Sequence, residues 1–122
     1  MTAPWTPLDE DVRRCLDLLL PGDAAPLAGY RAQLPYVRMR PGCGCGCPTV
    51  DLDVRPGAVA AGPLPSGESP IVASRNVLTP EGAWIGEAML FARGGFLTTM
   101  EVCHWDDLGP FVPPLWRRLE AG

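Results

Sequence analysis

Apolar residues recur at helical spacing near the start of the chain and at alternate positions through much of the rest. Leu8, Val12, Cys15, Leu16, Leu19 and Leu20 form one stripe, the pattern of a helix with a single buried face. Thr6 is placed to cap this helix and Pro7 suits its first position. Asp9, Glu10 and Asp11 favour the positive end of its dipole. Glu10–Arg14 and Arg13–Asp17 are spaced as i,i+4 ion pairs on the polar side, and Pro21-Gly22 stops the helix. A second helix is expected from about Ala24 to Leu34, with Leu27, Tyr30, Arg31 and Leu34 in period and Pro35 ending it.

The pattern then changes to strands. Tyr36 to Arg40 alternates, and Thr49 to Val54 places Val50, Leu52 and Val54 opposite Asp51 and Asp53. Arg38 and Arg40 are positioned to pair with those aspartates across the sheet; otherwise the two carboxylates read as a solvated face or a hard-metal pair. Pro70 to Leu78 is a further strand. Ala83 to Arg93 and Phe96 to Trp105 are joined by Gly94-Gly95, a hairpin signal. On strict alternation Cys103 shares a face with Leu97, Thr99, Glu101 and Trp105, and His104 shares the other with Phe96, Met100 and Val102. Residues 55–70 hold seven Pro or Gly in sixteen and read as a mobile loop. Residues 106–122 form an irregular Pro-rich tail anchored by Phe111, Leu115 and Trp116. Trp84, Trp105 and Trp116 read as core and lid, and Trp5 as a staple for the N-terminus. The expected fold is α+β, with two N-terminal helices packed on a mainly antiparallel sheet of four to five strands. It forms a single domain over residues 1–122.

Composition narrows the partners. The chain of 122 residues is 47% hydrophobic, enough for one core, and carries a net charge of −4. That balance argues against nucleic acid and against an anionic membrane surface. All ten basic residues are arginine, which reads as the coding bias of a GC-rich genome and excludes lysine-based covalent chemistry. The start, Met1-Thr2-Ala3-Pro4-Trp5, lacks the pattern of a secretory signal. The longest apolar run is Leu18-Leu19-Leu20, so a cytoplasmic location with reduced thiols is expected.

The strongest chemical signal is Cys43-Gly44-Cys45-Gly46-Cys47, three of the five cysteines within five residues. A Cys-x-Cys disulfide would close a very small ring, which leaves soft-metal binding or uncombined thiols. Ligand sulfurs on one zinc lie roughly 3.7 Å apart, whereas alternate residues of a regular strand stand about 6.6 Å apart. The glycines permit a bent path that closes the gap. Cys43, Cys45 and Cys47 are thus candidate thiolate ligands, with Cys103 or His104 as fourth donor. Zinc is the expected metal and Cu(I) the alternative. The competing reading is a tight turn whose cysteines pack as small apolar residues. Cys15, on the helix stripe, reads as core. A thiol-catalytic role for Cys45, with His104 as base, requires a lowered thiol pKa.

Three strings also carry a resemblance: Arg31-Ala32-Gln33-Leu34-Pro35; Cys43-Gly44-Cys45-Gly46-Cys47-Pro48-Thr49-Val50-Asp51-Leu52; and Leu90-Phe91-Ala92-Arg93-Gly94-Gly95 with Met100-Glu101-Val102. Together the chain resembles a family of small uncharacterised proteins of high-GC bacteria. That likeness implies no catalytic residues, because the family carries no established activity. The Leu-Phe-x-Arg-Gly-Gly hairpin is similar to those of small immunity-type proteins. The expected function is non-enzymatic metal binding in a structural or sensory role. The alternative is an immunity-type accessory protein that binds a protein partner or a second copy of itself.

Overall fold

A computed structural model describes residues 3–22, 27–42, 48–55, 57–63, 71–104 and 112–121. Cys43, Cys45 and Cys47 lie outside them, as do Trp105, Phe111, the start of the expected second helix and part of the expected 55–70 loop.

The architecture is α+β with a six-stranded sheet rather than four or five strands. The strands are β1 (Thr6–Pro7), β2 (Val37–Pro41), β3 (Val50–Val54), β4 (Ile71–Leu78), β5 (Trp84–Arg93) and β6 (Phe96–His104). They lie in the order β1-β2-β3-β6-β5-β4, each neighbouring pair antiparallel. The helices are α1 (Glu10–Leu19), α2 (Leu27–Arg31) and α3 (Leu115–Arg118). No helix among the described residues is long and apolar enough to cross a membrane.

Thr6 and Pro7 do not start α1. They pair with Met39 and Arg38 as the added edge strand, and the Thr6 hydroxyl donates to the Met39 carbonyl. The cap is Asp9, whose carboxylate accepts from the Val12 N–H at 2.8 Å and fills the usual Ncap role. The Glu10–Arg14 pair forms at 2.9 Å, but Asp17 pairs with Arg31 instead of Arg13. The second helix is also shorter than its periodicity suggests. It ends at Arg31 and gives way to a 3-10 turn over Leu34–Tyr36, because Gln33 turns into the core.

Val12, Cys15, Leu16 and Leu19 of α1, with Leu20 at its C-terminal cap, join β-strand residues such as Leu52, Ile85, Leu90 and Met100 in one buried cluster. Gln33 is the buried polar side chain among the described residues, at 0% exposure. Its amide nitrogen donates to the Gly95 carbonyl at 2.7 Å and to the Ala60 carbonyl at 3.3 Å. Its amide oxygen accepts from the Leu97 N–H at 3.1 Å. Beside it, the Gly62 N–H donates to the Gly95 carbonyl and the Tyr30 hydroxyl donates to the Pro63 carbonyl. Residues 60–63, within the stretch expected to be a mobile loop, are therefore tied to α2 and to the β5–β6 turn. Gly94 and Gly95 have φ of 60° and 88°, the left-handed pair a two-residue hairpin demands.

The tail is not wholly irregular. The Leu115 and Trp116 N–H groups at the start of α3 both donate to the Asp11 carboxylate at 2.9 Å. Leu119 then bridges to Val77 of β4. Trp84, read as core or lid, is 54% exposed, because the last residue of β4 pairs with it across a register shift at the sheet margin.

Replacing Gln33 with Leu leaves the Leu97 N–H without its acceptor in the core. Unsatisfied buried groups cost roughly 1–3 kcal/mol each, so Gln33→Leu is expected to lower unfolding stability by about 2–4 kcal/mol in urea titration.

Candidate functional site

The chain leaves β2 at Gly42 and returns at Pro48-Thr49, and the two ends are fastened together: the Gly42 N–H donates to the Thr49 carbonyl at 3.1 Å. A Cβ on Gly42 would stand 3.1 Å from the backbone of Val50 and Asp51, so glycine allows this close exit. Among the described residues β3 then pairs with β6 at two positions, Val50 with Met100 and Asp51 with Thr99. Thr49 prolongs the contact with its side chain. Its hydroxyl oxygen accepts from the Val102 N–H at 2.9 Å and lies 3.5 Å from the Val102 carbonyl. Gly42 is thus fastened to Thr49, and Thr49 to Val102, the residue before Cys103 and His104 in β6.

Those two residues are on opposite faces. Cys103 pairs with Glu87 and His104 with Gly86. His104 falls on the face of Met100 and Val102, as alternation predicts. Cys103 shares the other face with Thr99 and Glu101, but not with Leu97. A bulge shifts the register between Phe91 and Ala92, so Leu97, 1% exposed, lies on the core face instead. The ends of β5 and β6 approach closely: a Cβ on Gly86 would run into the Cys103 carbonyl.

No group of three or more His, Cys, Asp or Glu side chains among the described residues is arranged to hold a metal. The hard-metal reading of Asp51 and Asp53 gives way to ion pairing. Arg38 sits opposite Asp53 and Arg40 opposite Asp51, and both pairs form. These half-exposed bridges contribute about 0–1 kcal/mol each. Arg40 also covers the Trp5 ring at 4.1 Å, which holds the N-terminal segment against β2.

No family model, curated protein or solved structure matches this chain. Its chemistry therefore rests on its own residues. Thr49 carries no signal of its own in the sequence; only its place two residues after Cys47 marks it.

Cys15 is fully buried and its S–H faces the Asp11 carboxylate at 3.7 Å. Burial first, then the charge of Asp11, pushes its pKa far up. Folding favours the protonated thiol. Its contribution is fully present below pH 9.0, the ordinary value. Above that pH it is progressively lost, because the unfolded chain releases a proton the folded chain keeps. Stability at alkaline pH is expected to fall more steeply than in Cys15→Ala, by up to roughly 1.4 kcal/mol per pH unit. Urea titrations of both proteins from pH 8 to 10.5 measure the difference.

Thr49→Val removes the acceptor of the Val102 N–H while keeping the side-chain shape. It is expected to cost roughly 1–2 kcal/mol and to speed hydrogen exchange at the Val102 amide.

Proposed function

We propose that this chain is a small metal-binding protein without turnover, in which Cys43, Cys45 and Cys47 supply thiolates. Either Cys103 or His104 completes the set. They stand on opposite strand faces, so one ligand set takes one of them. Zinc suits three thiolates and a fourth sulfur or imidazole; Cu(I) is the alternative. The supporting observation is the bonding of Gly42 to Thr49 and of Thr49 to Val102, near the end of β6. Cys103 and His104, distant in sequence from Thr49, follow Val102 at the same end of β6. The reading goes with a reducing, cytoplasmic setting and with the two N-terminal helices covering the apolar sheet face.

In this reading, metal closes the β2–β3 connection onto β6, a structural or sensory role. Elemental analysis of protein purified without added metal is expected to give near one equivalent of zinc or copper. That equivalent is lost in Cys45→Ser and kept in Cys15→Ala, and only one of Cys103→Ser and His104→Gln weakens it. Metal-free protein whose cluster thiols titrate at the ordinary rate overturns the reading.

A further inference from the structure

α1 and α3 line an open groove of about 660 Å³, within the size range of small-molecule sites. Leu18, Trp116 and Leu119 supply apolar walls, and Arg14, Arg117 and Arg118 supply cations. The guanidinium groups of Arg14 and Arg117 lie over the Trp116 ring, 4.6 and 5.2 Å from its centroid. Arg14 is matched by Glu10, and Asp17, the one acidic residue lining the groove among the described residues, is matched by Arg31. Arg117 and Arg118 have no carboxylate partner among the described residues. Moreover, the Nε of Arg118 is buried and has no hydrogen-bond acceptor there. A buried N–H is ordinarily satisfied. Two unmatched guanidinium groups beside an aromatic wall concentrate positive charge on a chain of net charge −4.

The geometry points to a binding site for a small apolar carboxylate, its aromatic or acyl body against Trp116, Leu18 and Leu119 and its carboxylate on Arg118. A guanidinium presents Nε–H and Nη–H as a planar fork that matches both carboxylate oxygens, which meets the need of the buried Nε. The apolar walls exclude a simple inorganic anion as the full complement, since they offer it nothing. Asp11 fixes the groove's geometry by capping α3 from α1. None of the residues proposed for metal binding takes part.

The test titrates the whole chain with 1-naphthoate and with its neutral analogue 1-naphthamide, followed by calorimetry and by the indole N–H signal of Trp116. Naphthoate is expected to bind at least ~10-fold more tightly than naphthamide, and Arg118→Gln to weaken naphthoate by roughly 10–100-fold, the range of a charge-assisted hydrogen bond. Arg118→Lys, which keeps charge without the fork, falls between, and Arg55→Gln, outside the groove, changes nothing. Equal affinity for acid and amide, no binding of naphthoate, or an unchanged affinity in Arg118→Gln overturns the proposal. The comparison of acid with amide on the unaltered chain decides it even if an Arg118 variant fails to fold.

Discussion

The sheet depends on a seam. Strands β1, β2 and β3 form one half and β6, β5 and β4 the other, and among the described residues backbone pairing joins the halves at two positions. Two side chains extend that short seam. At one end the Thr49 hydroxyl continues it to Val102. At the other, the Gln33 amide takes the Leu97 N–H, beyond the last pair with β3, and binds Gly95 and Ala60 on either side. A primary amide suits this place because it offers two donors and an acceptor in one plane, all of them used. A buried polar network adds specificity only when every member is satisfied; this one is satisfied among strand, turn and loop.

The same end of β6 carries the bulge, and the bulge decides which way the strand's later side chains point. A one-residue offset exchanges the two faces of a strand. Leu97 enters the core, and Met100, Val102 and His104 follow on that face, while Cys103 stays on the other. The faces on which Cys103 and His104 stand are therefore set near the turn held by Gln33. Gly86 completes the arrangement, because only a residue without Cβ lets β5 approach the Cys103 carbonyl.

Long periodic elements were legible in the sequence because their signal is simple burial. The α1 stripe, the alternation of β3 and the Gly94-Gly95 hairpin need only one side wet and one side dry. The cross-strand pairs of Arg38 with Asp53 and Arg40 with Asp51 were legible for the same reason, since alternation fixes which side chains face each other. The features that escaped are set by partners far along the chain. Gln33 looks like a helix-surface residue until Gly95 and Leu97 are beside it. Thr6 looks like a cap until β2 supplies a neighbouring strand, and the bulge in β6 has no local marker. Of the candidate site, the cysteines announce themselves, but Thr49, which bonds to Val102 of β6, does not.

The exclusive use of arginine also takes on structural meaning. The last turn of α1 has no basic residue of its own, yet its carbonyls sit at the negative end of the helix dipole. Arg31 reaches the Leu20 carbonyl at 2.6 Å while holding Asp17. Arg75 reaches the Leu18 carbonyl through Nε and the Glu120 carbonyl through Nη1, each at 2.8 Å. One guanidinium thus caps α1 and ties the C-terminal segment to β4, a double contact in two directions that the single ammonium of lysine makes poorly. The forked geometry explains why two of them cap a helix that has no cation in its last turn.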